Sequence, residues 1–148
     1  MKRLFIAVWL LLLPVLASAQ STDMLDAAKK GLSGSLTGSM QSELDISKDQ
    51  AEGGIGSVLS LAQENLSTDD FSRFSGMIPG ADGYLSAAKS LGAVSGPLKN
   101  VAGLNGALGK LGMSPDTVAS FVPTLSDLLG KFGGSEATQL LKMALGTG

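Results

Sequence analysis

The 148-residue chain contains no cysteine and no histidine. Without cysteine there is no disulfide to staple the fold in an oxidising compartment and no thiol to anchor a lipid or ligate a metal. The lack of histidine removes the usual general base, the commonest transition-metal ligand and the ordinary switch near neutral pH. With no disulfide to call on, stability must come from packing alone. Basic clusters are missing as well. With 11 basic and 13 acidic residues, the chain is a poor match for nucleic acid, whose binding rests on lysine and arginine neutralising phosphates.

A single stretch is long and apolar. Met1-Lys-Arg precedes Leu4 to Leu16, interrupted by Pro14, and Ala17-Ser-Ala19 offers a small-x-small cleavage site before Gln20. This is the pattern of a secretory signal peptide over residues 1–19; the run is shorter than the roughly 20 residues a spanning helix needs. The expectation is an exported chain, periplasmic or secreted, and not a lipoprotein. Without Lys2 and Arg3 the balance is 9 basic against 13 acidic residues, a net charge of −4.

The rest of the chain reads as helices. Residues 22–43 carry Leu25, Ala28, Leu32, Leu36 and Met40 at spacings of three and four, an amphipathic helix weakened by Gly31, Gly34 and Gly38. Ser47-x-x-Gln50 is a capping box opening a second helix to about Leu66, whose Gly53, Gly54 and Gly56 would let a neighbouring backbone come close. Ser67-Thr68-Asp69-Asp70 caps a short helix with Phe71, Phe74 and Ile78, and Asp82 is positioned to cap another that buries Tyr84, Leu85, Ala88 and Leu91. Pro97 stands where a helix N1 residue would, ahead of Leu98, Val101, Leu104, Leu108 and Leu111. Ser114-Pro115-Asp116 begins a further helix, which Pro123 should kink or split and Gly133-Gly134 should end. Strand alternation is nowhere sustained. The fold expected is all-α, a compact bundle of about six or seven short helices, with residues 20–43 as an N-terminal helix and 44–148 as one helical domain.

The chain also repeats itself. At an offset of 67 positions Leu44, Ile46, Ser47, Asp49, Val58 and Leu61 fall on Leu111, Met113, Ser114, Asp116, Leu125 and Leu128, which implies two weakly related helical halves.

The ordered set Gln50-Ala-Glu-Gly-Gly-Ile-Gly, Leu61-Ala-Gln-Glu-Asn-Leu-Ser, Asp70-Phe-Ser-Arg-Phe, Ile78-Pro-Gly-Ala-Asp and Leu111-Gly-Met-Ser-Pro-Asp-Thr-Val-Ala-Ser-Phe-Val-Pro resembles a bacterial family of secreted proteins labelled VcgC/VcgE. The resemblance covers about Leu44 to Leu145. It implies an exported helical protein and brings no activity from which catalytic residues could be carried over.

Chemistry is thinly supported by the residues. Asp45, Asp49 and Glu52 share a helix-start surface that could serve carboxylate-dependent hydrolysis, but first-turn acids are already accounted for by capping and the helix dipole. Ser86-x-x-Lys89 has the spacing of serine acyl-transfer enzymes without their accompanying motifs. No catalytic residue, metal ligand or cofactor is therefore assigned. The remaining signal is one of charge: Lys89, Lys99 and Lys110 are present from Leu85 to Gly112 and acids are absent there. Lys89, Leu98, Lys99, Val101, Leu104, Leu108 and Lys110 are the candidate partner- or membrane-facing residues, on a glycine-rich segment expected to be movable. The leading expectation is a non-enzymatic module binding an envelope protein or a small apolar ligand, with a membrane-surface role as the alternative.

Overall fold

A computed structural model describes residues 36–146, and every regular element among them is a helix. The expected signal peptide and the expected helix before residue 36 lie outside the described residues. The helices are α1 (residues 36–44), α2 (Lys48–Asn65), α3 (Thr68–Met77), α4 (Ala81–Ser90), α5 (Val101–Lys110) and α6 (Pro115–Ala144).

Local chemistry sets most of the helix starts. Ser47 is the N-cap of α2: the Gln50 amide donates to its Oγ at 3.2 Å, and the Ser47 amide donates to Gln50 Oε1 at 3.0 Å. Ser67 and Ser114 cap α3 and α6 by accepting from the amides three residues on. Two expected starts are corrected. Helix α4 follows Gly80, whose φ of 78° turns the chain, and Asp82 sits in its first turn instead of capping it. Helix α5 begins at Val101, not at Pro97, because Asn100 supplies the better cap, its Oδ1 accepting from the Gly103 amide at 2.8 Å. Pro97 and Leu98 belong to the preceding connection.

Pro123 does not split α6 either. Its missing amide leaves the carbonyl of Ala119 without a helical partner, and both residues are exposed, so water can take that place. The interruption comes at Gly134, with φ 73° and ψ −167°, a conformation essentially reserved for glycine.

Helix α2 is the axis of the bundle. From Ala51 to Ala62 every residue but Glu52 is buried, and α3, α4, α5 and α6 all pack against it. Its glycines admit those neighbours. A Cβ at Gly56 would overlap the main-chain carbonyl of Tyr84 in α4; one at Gly54 would enter the ring of Phe121 in α6; one at Gly53 would lie 2.9 Å from a Leu111 methyl. The core around this axis includes Leu36 and Met40 of α1, Phe74, Tyr84, Leu104, Leu108, Phe121, Leu125 and Leu141.

The two related halves correspond element by element. Ser47 and Ser114 are equivalent N-caps 67 positions apart, and the same shift carries Lys48–Asn65 onto residues 115–132 and Thr68–Met77 onto residues 135–144, the two parts of α6 around Gly134. Helix α1 likewise falls on α5, and Asp45 (φ 52°) on Gly112 (φ 83°), so both copies turn into the capping serine through a left-handed residue. The contacts are reciprocal too. Asn65 near the end of α2 donates to the Ala144 carbonyl at 2.9 Å, while Gly133, one position beyond the equivalent of Asn65, faces Met77, the equivalent of Ala144. Such exchange of equivalent partners is the mark of a two-fold relation, here within one chain. Helix α4 and its following connection lie between the copies.

Helix α1 is tied to α4 by a hydrogen bond of 3.0 Å between Thr37 Oγ1 and the Tyr84 hydroxyl. Burial raises the Tyr84 pKa above its ordinary value of 10, the bond to Thr37 opposes the shift, and the charge of Glu52 adds to it. The unfolded chain therefore loses this proton at a lower pH than the folded one. Stability linked to Tyr84 is fully present below pH 10 and is lost as pH rises from there toward the folded value. In denaturant unfolding at pH 9 to 11, wild type is expected to lose more stability than Tyr84→Phe, with the difference approaching about 1.4 kcal/mol per pH unit. Equal pH slopes would remove Tyr84 as the linked group.

Candidate functional site

The candidate residues divide between surface and core. Lys89 and Lys110 are exposed in the last turns of α4 and α5, Lys99 is exposed just before the α5 cap, and Leu98 is half-buried in the connection. Val101, the first residue of α5, is 37% exposed. Leu104 and Leu108 are fully buried, so they hold α5 to the core and do not belong to a partner-facing surface. Their three-and-four spacing is a packing stripe, as in most helices of a globular protein.

One open cleft takes in two of the set, Lys99 and Val101, while Leu98 and Lys110 line a separate one. The first has a volume of about 630 Å³ and lies where the start of α5 meets the ends of α2 and α6. Val101, Met143 and Leu145 supply its apolar wall, and Lys99, Asn100 and Asn65 supply polar groups. The Asn65 side chain clamps one edge by its bond to the Ala144 carbonyl, and the Asn100 cap fixes the other. Met143 is 48% exposed, the most exposed large apolar side chain among the described residues. It lies off the buried line of Leu140, Leu141 and Ala144, with Lys142 beside it.

The repeat gives this cleft a counterpart. Shifted back by 67 positions, Met143, Leu145 and Gly146 become Gly76, Ile78 and Pro79, which line another open cleft between α3 and α4. Buried positions keep their character in both copies, as in Val58 and Leu125 or Phe74 and Leu141. At the cleft, Ser75-Gly76 of the first copy is replaced by Lys142-Met143 in the second. The divergence puts a cation and a large apolar group where packing does not demand them.

Lys89, Lys99 and Lys110 make no ion pair among the described residues, whereas Lys48 pairs with Glu52 at 3.7 Å and Arg73 with Glu136 at 3.9 Å. Of the carboxylates considered for hydrolysis, Glu52 is engaged in the first of these pairs, Asp49 lies in the first turn of α2 and Asp45 occupies the turn before it. Met143, Leu145 and Asn65 were not among the sequence candidates. Met143 next to Lys142, off the apolar stripe, is the signal that could have found the first.

Comparison with curated proteins and with solved structures gives no match. The family model described as "Protein of unknown function VcgC/VcgE (DUF2780)" matches residues 15–146, nearly the whole chain. The chain belongs to this VcgC/VcgE family.

Proposed function

We propose that the chain is an exported, non-enzymatic binding module of the bacterial envelope that takes its partner in the cleft between the start of α5 and the end of α6. Export rests on the basic start, apolar run and small-residue site of residues 1–19. The non-enzymatic reading rests on a sequence without histidine or cysteine, whose acids at the starts of α2, α3 and α6 serve helix termini. The observation that carries the reading is the cleft itself: Val101 and Met143, both exposed, face one concavity beside Lys99. Exposed apolar groups rimmed by polar ones mark binding surfaces.

Anilinonaphthalene sulfonate, an apolar dye with one negative charge, suits such a cleft and reports binding by fluorescence. The double variant Val101→Ser/Met143→Ser is expected to lower dye affinity about 10-fold, since it removes most of the apolar wall. Phe132→Ser, which alters an exposed aromatic outside the cleft lining, should leave affinity unchanged. Unchanged binding by the double variant would show that the cleft does not hold apolar ligands.

A further inference from the structure

We infer that the partner taken at this cleft is the anionic surface of a lipid bilayer, on which the molecule rests along α5; this deepens the binding reading above and depends on it. Charge is the first ground. The whole chain is acidic, with a net charge of −2, yet no acid occurs between Asp82 and Asp116. That interval contains Lys89, Lys99 and Lys110, all exposed and none in an ion pair among the described residues. Within this acid-free interval positive charge therefore stands unopposed, at the end of α4 and beside the two ends of α5, where it is complementary to a negative surface.

The apolar groups follow the same line. Leu91 is 40% exposed, not buried with Tyr84 and Ala88 as its spacing predicts. It joins Val101 and Met143 as three of the four large apolar side chains exposed among the described residues, and each stands within two positions of a lysine. Leu91 and Leu111 both approach Gly53 at the C-terminal end of α5, while Val101 and Met143 flank its N-terminal end. Between these ends α5 exposes Ala102, Asn105, Gly106 and Gly109, which are small or neutral and leave the helix free to approach headgroups closely. A lysine beside an apolar side chain can keep its ammonium among headgroups while its neighbour enters the acyl boundary. No helix among the described residues is long and apolar enough to cross a membrane, so the contact proposed is one of lying on the surface.

Protein recovered from cells expressing the full chain would be sedimented with vesicles of phosphatidylglycerol and phosphatidylcholine, and with vesicles of phosphatidylcholine alone. Binding to the anionic vesicles is expected, weakening as salt rises, with little binding to the neutral ones. Each lysine near such a surface contributes about 5-fold in affinity, so Lys89→Gln/Lys99→Gln/Lys110→Gln should lower binding roughly 100-fold. Val101→Ser/Met143→Ser should lower it as well, and circular dichroism checks that both variants are folded. Absence of binding, equal binding to neutral vesicles, or an undiminished affinity of the lysine variant would each overturn the inference. Dye binding separates the two levels: a cleft that takes the dye while vesicles are ignored refutes the bilayer and leaves the binding reading standing. A cleft whose serine variant binds dye as well as wild type refutes both.

Discussion

Gly56→Ala is expected to destabilise the fold by at least about 3 kcal/mol and to lower the melting temperature by about 10 °C. The new methyl would overlap the Tyr84 carbonyl and lie 2.8 Å from the Ala88 Cβ, so α4 would have to withdraw from α2. Withdrawal loosens buried Ala88 and strains the Thr37–Tyr84 bond that ties α1 to α4. Against this stands only the gain of about 1 kcal/mol that alanine brings to a helix interior. Gly106→Ala in α5 isolates that gain, because nothing lies within 4 Å of a Cβ built there, and it should stabilise by up to about 1 kcal/mol. Urea unfolding of the two variants checks the pair. Similar effects from both would mean that α2 and α4 are not in backbone contact.

Phe121→Ala should cost about 3–5 kcal/mol by the same measurement, the usual range for emptying a fully buried phenylalanine site. The ring sits where α6 crosses α2, against Gly54, and the two positions are 67 apart, so the crossing joins equivalent points of the two halves. Its partner predicts a coupling. Gly54→Ala collides with the ring tip in wild type, whereas in a Phe121→Leu background the shorter side chain leaves room. The double variant should therefore be about 1 kcal/mol more stable than the two single effects sum to. No side-chain change can relieve Gly56→Ala in this way, because the obstacle there is main chain.

Much of this architecture was legible because it is written in short-range chemistry. Ser47, Ser67 and Ser114 begin their helices through bonds that span three residues, and the glycines of α2 announce close approach without saying by what. Where two local signals compete, sequence reasoning chose badly. Pro97 and Asn100 both suit a helix start, and only the packing of Leu104 and Leu108 selects the register in which Asn100 caps. Pro123 is unfavourable in a helix interior, yet long apolar contacts on both sides, from Phe121 to Leu129, hold the helix through it. The cleft was half visible. Lys99 and Val101 come from one stretch and were found, but periodicity groups residues on a face without telling whether that face looks in or out, hence the misplacement of Leu104 and Leu108. Asn65 and Met143 are brought to Val101 by the two-fold arrangement of the halves, which no local pattern encodes.

A local cleft attached to a rigid, glycine-packed core should respond to a ligand without disturbing that core. Amide chemical shifts recorded while the folded protein is titrated with anilinonaphthalene sulfonate distinguish the two regions. Saturable shifts are expected at Asn65, at Lys99 to Ala102 and at Met143 to Gly146, with the amides of Ala51 to Ala62 in α2 unmoved. Shifts concentrated elsewhere, or spread through α2, would mean that the binding surface is not this cleft or that the core is not rigid.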